Sequence, residues 1–497
     1  MTKPITEGGC RVFTRLHRMI GREEERRVLE DCLNSNRPEL VALYGRRGVG
    51  KTFLVKAFFR ERFSFYATGV AGGNTRRQLR AFNAALTEFG DSVKTIPKDW
   101  AEAFSRLKLV LSLPQVQKDY QTGKRVVFLD EVPWMDTARS DFRAALASFW
   151  DSWASAQRDL ILIVAGSTAS WILRHIVRDP GGFCNRMTRQ IHLMPFCLNE
   201  CRQMLQAKRI LFSDQQIMEC YMILGGIPYY LSYLRPEYSL AQNIELLFFR
   251  ENSPLRGEYD QLIHSLFGKA KNHLQIMEAF LAGTNGMTRA DILATGKVPN
   301  GKELTKCLVE LEQCGFIRSY PDFSKKAYGR FYQLTDPLTL FHLTWIRDHR
   351  VDSWTDMINT PAYLAWCGLA FERVCLLHTP QILNRLGVLG VSSRSFAWRS
   401  RKSVPGAQID LIIDRKDDVI NLCEVKYARE PFSIDAACEK DLIHKLETFR
   451  TESGTDKALH LTTITPKGLA KNSGRNIVVS EIRGEDLLRE LPTPPLL

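Results

Sequence analysis

Short runs of consecutive apolar residues punctuate this chain, separated by segments in which apolar positions recur at helical spacing. "ELVALYG" (from Glu39), "RVVFLDE" (from Arg125) and "LILIVAGST" (from Leu160) are such runs. Uninterrupted apolar strands of this length suit a parallel sheet buried on both faces. Further along, "NHLQIMEAFLAGTNGMTRADILATG" predicts a helix, a Gly-containing break at Gly283–Gly286 and a second helix. Leu304, Leu308 and Leu311 then share one helical face, and "LTDPLTLFHLTWIRDH" reads as a packed apolar connector. "GLAFERVCLLH" is another apolar helix. Towards the end, "IDLIIDRKDDVINLCEVKY" (Ile409 to Tyr427) places a charged turn between two apolar runs and predicts a hairpin.

At 497 residues the chain exceeds what one core supports and should divide into three or four domains. No apolar stretch reaches the roughly 18–20 residues of a membrane span, and "MTKPITEGGCRVF" lacks the apolar core of a secretory signal. The 12 cysteines are scattered without a C-x-x-C pair. Cys197 and Cys201 suit two half-buried thiols on one helix face better than zinc. A cytoplasmic, reducing location fits these features. The formal net charge of +13 favours a polyanionic partner, or is simply a solvated basic surface.

The first apolar run leads into chemistry. Gly45, Arg46, Arg47, Gly48, Val49, Gly50, Lys51 and Thr52 fit G-x-x-x-x-G-K-[ST] between a predicted strand and a predicted helix. Glycines let such a loop turn its N–H groups onto phosphate oxygens. Lys51 reaches the β- and γ-phosphates of ATP, and the Thr52 hydroxyl ligates Mg²⁺. The second run ends in Asp130, placed to hold Mg²⁺ through water, and Glu131, placed to orient or deprotonate the attacking water. Ser167, closing the third run, either senses the γ-phosphate or is an ordinary turn residue. Arg186 and Arg189 are candidates for a finger reaching a neighbouring subunit's ATP, which would make the chain a homo-oligomer. Each is equally a solvated or acid-paired arginine.

"GREEERRVLE" before the phosphate loop, Asp-Glu and Gly-Ser at successive strand ends, "NRMTRQIHLMPF" and "GGIPYYL" (Gly225 to Leu231) occur in an order that resembles the archaeal-type ATPases of the AAA+ superfamily. The resemblance covers roughly residues 14–265. It implies ATP binding, a helical lid containing "GGIPYYL", and Arg22 near the nucleotide base.

The middle of the chain runs helix, helix, helix, then "FIRSY", a basic turn "DFSKKAYGR" and "FYQLTD", the order of a winged helix. Lys302, Lys306, Lys325, Lys326 and Arg330 are candidate phosphate contacts to DNA. Glu303, Glu310 and Glu312 would repel DNA if they faced it, and such modules also bridge domains or bind protein.

In the C-terminal hairpin, strand alternation puts Glu424 and Lys426 on one face, with Asp410 reaching the same face from the neighbouring strand. Two carboxylates can hold Mg²⁺ or Mn²⁺, and an adjacent lysine can position a water and stabilise charge on a phosphate. A surface ion pair is the ordinary alternative for E-x-K at a strand end. The hairpin resembles the core of PD-(D/E)XK nucleases, although Ile409 stands where that motif has proline. The resemblance implies Asp410 and Glu424 as metal ligands, Lys426 as the catalytic lysine and Glu372 as the helix acid. Lys440 and Lys445 are offered as contacts to the DNA backbone, and Arg394, Arg399, Arg401 and Lys402 surround Phe396 and Trp398.

The expected fold is therefore α/β: a P-loop NTPase parallel sheet (14–195), a helical lid (196–265), a winged helix (266–352) and a C-terminal α/β restriction-endonuclease-like domain (357–497). The expected function is an ATP-hydrolysing, DNA-directed protein with a metal-dependent, phosphodiester-cleaving C-terminal domain. The alternative is a non-cleaving, ATP-switched DNA-binding or signalling ATPase whose nuclease fold is vestigial.

Overall fold

In the computed structural model, the described residues are 19–492 apart from 179–182, 184, 269, 283–285, 299, 322, 324–329, 349–352 and 401–405. Lys325, Lys326, Arg401 and Lys402 lie outside them. The chain forms two compact units that divide between Pro195 and Phe196.

The three apolar runs become β1 (Glu39–Tyr44), β3 (Arg125–Asp130) and β4 (Leu160–Gly166), and every residue of each is buried. With β2 (Phe65–Thr68) and β5 (Arg189–His192) they form a five-stranded sheet of order β2-β3-β4-β1-β5. All four pairings are parallel. Parallel strands need crossovers, and the crossover helices cover the faces, so unbroken apolar runs are tolerated where alternation would bury polar groups. One face packs against a dense aromatic cluster in which Phe82, Trp100, Phe104, Phe142 and Phe149 are each at most 2% exposed. The strand order makes β1, β3 and β4 central neighbours. Their C-terminal ends therefore bring the phosphate loop, Asp130–Glu131 and Ser167 together.

The second unit opens with helices Leu198–Ala207, Asp214–Leu224 and Pro228–Ser232. The Phe196 N–H donates to the Gly226 carbonyl at 2.6 Å, and a Cβ on Gly226 would stand 1.8 Å from the Phe196 carbonyl oxygen. The "GGIPYYL" segment thus needs glycine for close backbone approach. Burial pushes the Cys197 thiol up to about 11, and Cys197 begins the first of these helices while Cys201 is buried within it.

Three helices follow, Lys271–Ala282, Arg289–Ala294 and Lys302–Gln313, with β6 (Met287–Thr288), β7 (Ile317–Pro321) and β8 (Arg330–Leu334). These strands make an antiparallel sheet of order β6-β8-β7. Glu310 is buried against His273 at 3.0 Å, and Glu312 accepts from the Ser319 N–H and hydroxyl at 2.9 and 2.6 Å. Neither acid is free to oppose a phosphate from solvent, whereas Lys302 and Lys306 are exposed. Arg330 is exposed too and donates to the Ser319 hydroxyl at 2.7 Å.

The last element is a mixed sheet of order β13-β12-β11-β10-β9, built from Ser393–Arg399 (β9), Gln408–Arg415 (β10), Val419–Val425 (β11), Ala458–Thr465 (β12) and Ser480–Arg483 (β13). β10 is antiparallel to β9 and β11, while β11, β12 and β13 run parallel. Helix Pro361–Leu377 carries Glu372, and helix Ala436–Ser453 carries Lys445.

Among the described residues no helix is long and apolar enough to cross a membrane.

Candidate functional site

Two sites emerge, one in each unit. In the first, the loop Gly45–Gly50 joins β1 to helix Lys51–Phe58. Gly48 and Gly50 have φ of 84° and 96°, where a side chain is strained. Gly45, Arg46 and Val49 are buried, and Arg47 is exposed. Lys51 folds over the loop, and its ammonium donates to the carbonyls of Gly45 (2.9 Å) and Arg46 (3.1 Å) and to the Ser167 hydroxyl (3.0 Å). Burial holds its amine below the usual lysine range, opposed by the charges of Glu131 and Asp130.

The Thr52 hydroxyl donates to Asp130 at 2.6 Å. Thr52 and Asp130 are thereby the oxygen pair that fits Mg²⁺, in keeping with the hard-donor preference of that ion. Burial pushes the Asp130 carboxyl above the usual carboxylate range, a cost that an adjacent cation relieves. Glu131 takes a left-handed backbone (φ 48°) at the strand end, and its carboxylate accepts from the Ser167 N–H at 3.2 Å and from the Ser167 hydroxyl. Ser167 therefore touches both Lys51 and Glu131.

Arg22 sits at 7% exposure, with its guanidinium donating to the Val49 carbonyl (3.1 Å) and the Met194 carbonyl (2.8 Å). These bonds brace the loop from behind. Arg186 pairs with Asp151 at 2.7 Å, and Arg189 opens β5 and donates to the Thr188 carbonyl at 2.9 Å.

The second site is the C-terminal hairpin. The Leu411–Cys423 pair of β10 and β11 sets Asp410 and Glu424 one position further on, across the ladder. Towards β9 the register slips: Ile409 faces Trp398, but Ile412 faces Phe396, so Asp410 and Leu411 share one opposing residue. Such a bulge re-aims side chains, and bulges recur beside active sites. Asp410 accepts from the Val425 N–H at 3.2 Å. Burial, then the nearby Glu372 and Glu424, push its carboxyl up to about 8.

Glu424 is 4% exposed. Lys426 reaches its Oε1 at 2.9 Å, and Lys445 reaches Oε1 at 2.8 Å and Oε2 at 3.0 Å. Burial, the largest single influence, lowers both amines, but the charge and hydrogen bond of Glu424 together with the neighbouring acids hold them above the usual lysine range. Glu372 accepts from Gln333 on β8 at 3.0 Å and pairs with Arg373 at 2.7 Å.

The hairpin thus unites Asp410, Glu424 and Lys426, with Glu372 near enough to raise the Asp410 carboxyl. Lys445 is not displayed as a free backbone contact. It turns inward onto Glu424, a destination no motif spacing announces. Carboxylate crowding around Asp410 suits a divalent cation, which would relieve it. Even so, among the described residues no three His, Cys, Asp or Glu side chains form a ready ligand cluster. Glu424 and Glu372 are instead engaged by basic side chains.

The parallel sheet, the glycine loop with Lys51 and Thr52, and the strand-end acids define a P-loop ATPase. The sequence pattern of an ATPase domain found predominantly in Archaea matches residues 19–234. An uncharacterized protein of Methanocaldococcus jannaschii is 23% identical over 413 residues, which is 82% of this chain and 87% of that one. An uncharacterized ATP-binding protein of the same organism is 46% identical over 43 residues, 9% of this chain and 73% of that one. Residues 19–234 therefore carry an ATPase domain of the archaeal type. Among solved structures, the Walker-type ATPase of Pyrococcus abyssi superposes with a TM-score of 0.45 at 20% identity, covering 65% of this chain and 96% of that one. The Aeropyrum pernix ORC2 protein in its ADPNP–ADP complexes gives 0.43 at 14% identity, covering 72% and 95%. Both likenesses are too distant to carry an argument about this chain.

Proposed function

We propose that the chain is an ATP-driven, DNA-directed protein whose C-terminal domain cleaves phosphodiester bonds with Mg²⁺ or Mn²⁺. The observation that carries this reading is the bulged hairpin, which gathers Asp410, Glu424 and Lys426 beside Glu372. In this reading Asp410 and Glu424 would hold the cation, and the chemistry it would supply there is polarisation of the scissile phosphate. Lys426 positions the attacking water by a hydrogen bond from its ammonium and stabilises charge on the phosphate. Glu372 orients the donor set through its own bonds to Gln333 and Arg373. In the ATP site, Lys51 binds the terminal phosphates, Thr52 and Asp130 hold Mg²⁺, and Glu131 takes a proton from the attacking water. DNA contact falls to the three-helix module with its antiparallel sheet, read as a winged helix, through exposed Lys302, Lys306 and Arg330. The formal charge of +13 supports a polyanionic partner.

The test is cleavage of linear and supercoiled DNA with Mg²⁺ or Mn²⁺, with and without ATP, by wild type, Asp410→Ala and Lys426→Ala. Cleavage that both substitutions abolish supports the reading. Cleavage that survives both, or none under any condition while DNA still binds, overturns it. One observation favours the second outcome. Both Glu424 oxygens already carry lysine hydrogen bonds, which suits a domain that grips DNA without cutting it.

A further inference from the structure

Glu424 has one carboxylate, and two ammonium groups hold it. Lys426 lies two residues further on, just past the end of β11, 42% exposed, and its ion pair is with Oε1. Lys445 comes from a separate element, helix Ala436–Ser453, is 17% exposed, and spans both oxygens. Among the described residues, the carboxylates of Asp410 and Glu372 also face this point, with Arg373 on Glu372. Lys445 differs from Lys426 in one further respect. Asp441, one helical turn earlier and 56% exposed, stands 3.2 Å from its ammonium. Lys445 therefore already pairs with a second acceptor, one that lies further towards solvent.

A divalent cation ligated by Glu424 must take a lone pair of an oxygen that now accepts from lysine. It also adds two positive charges to a point where two ammonium groups already sit, and like charges at such separations repel strongly. We propose that Lys445 is an internal counter-ion of Glu424 that yields to an incoming divalent cation by giving up Glu424 and withdrawing onto Asp441, with which it already pairs, so that it sets cation affinity as a positioning residue. This rests on the reading of Asp410 and Glu424 as cation ligands. Lys426 stays in place, because its tether is the end of the strand itself and the chemistry needs it beside the phosphate.

The experiment uses the full chain and Mn²⁺ as the probe. Calorimetric titrations compare wild type, Lys445→Met, Lys440→Met and Asp410→Asn. Lys440 is exposed on the same helix and controls for removal of a nearby charge. In parallel, wild-type protein is acetylated with and without Mn²⁺ and its lysines are quantified by mass spectrometry. The expected results are Mn²⁺ binding that Asp410→Asn abolishes, affinity about 10–100-fold tighter in Lys445→Met, the size of effect that supporting partners exert on metal sites, and little change in Lys440→Met. Lys445 should be protected from acetylation without Mn²⁺ and labelled with it. If Mn²⁺ binds through Asp410 but Lys445→Met gains no more than Lys440→Met and labelling of Lys445 is unchanged, the counter-ion inference falls while the site reading stands. If neither wild type nor Lys445→Met binds Mn²⁺, the site reading itself falls and takes the inference with it. The labelling arm reads wild-type protein, so it decides the matter even if Lys445→Met fails to fold.

Discussion

Asp410→Asn should stabilise the protein, and by an amount that grows with pH. Burial and the neighbouring Glu372 and Glu424 push the native carboxyl up to about 8 from its ordinary 3.8. Between those values the folded chain holds a proton that the unfolded chain has released. Stability therefore falls as pH rises through this window, and the loss is complete above about 8. At roughly 1.4 kcal/mol for each tenfold change in proton affinity, the native state gives up a few kcal/mol. Asparagine has the same shape, can still accept from the Val425 N–H, and carries no charge to desolvate. Thermal unfolding in chelator at about pH 5 and about pH 8.5 tests this. The variant's advantage at the lower value should be only about a quarter of that at the upper one, where it should melt several degrees higher, at roughly 2 °C per kcal/mol for a unit of this size. A pH-independent difference, or a variant less stable at high pH, would refute the reasoning. It would mean that Asp410 is charged throughout and stabilised by Lys426 and Lys445. Loss of cleavage together with gain of stability would mark Asp410 as a residue kept for function at the expense of the fold.

Four further outcomes follow from bonds already described or from single buried groups. Glu131→Gln should keep ATP binding but slow hydrolysis about 10²–10⁴-fold, whereas Lys51→Ala should lose binding; nucleotide titration and phosphate release separate the two. Burial pulls the His378 imidazole down to about 4, and its Nε2 accepts from the Leu198 N–H at 2.9 Å. Stability from His378 is complete above about pH 6.5 and lost as pH falls towards 4, by up to about 3 kcal/mol, and His378→Gln should flatten that slope in acid denaturation. Gly226→Ala should cost more than about 2 kcal/mol in denaturant unfolding, since its Cβ meets the Phe196 carbonyl. Burial holds Arg318 down to about 10, its Nε and Nη2 have no hydrogen-bond partner among the described residues, and its guanidinium lies over the Tyr320 ring at 4.8 Å. Arg318→Met should therefore raise the melting temperature, by about 1–4 kcal/mol in stability.

The ATP site was largely legible in the sequence because its parts are local. A loop that must curl, a lysine and a hydroxyl at fixed offsets, and acids at the end of a buried strand all follow from backbone geometry over a few residues. The strand alternation that sets Glu424 beside Lys426 is equally local. The bulge at Asp410–Leu411 is not, since no glycine marks it and it arises from how β10 meets β9. The inward turn of Lys445 was invisible for a related reason. Its helix carries charges on most sides, so only packing decides which of them meets the sheet. Gln333 on Glu372 comes from a different sheet altogether, a contact that no stretch of sequence contains.

The bonds around Tyr427 bear on how this chain can be cut. Tyr427 follows Lys426 directly, and its hydroxyl donates to Glu219 of helix Asp214–Leu224 at 2.6 Å. Arg429 reaches the same Glu219 at 3.3 Å and lies over the Tyr363 ring. A fragment begun at residue 357, ahead of the helix that carries Glu372, would strip Glu219 from this cluster and Gln333 from Glu372. Buried phenol and carboxyl groups would be left facing water, and the strand that presents Lys426 would lose its anchor. A gene fragment meant to isolate the hairpin should open at Phe196. A protease that nicks the chain just before residue 357 should release nothing, because its two products stay bonded.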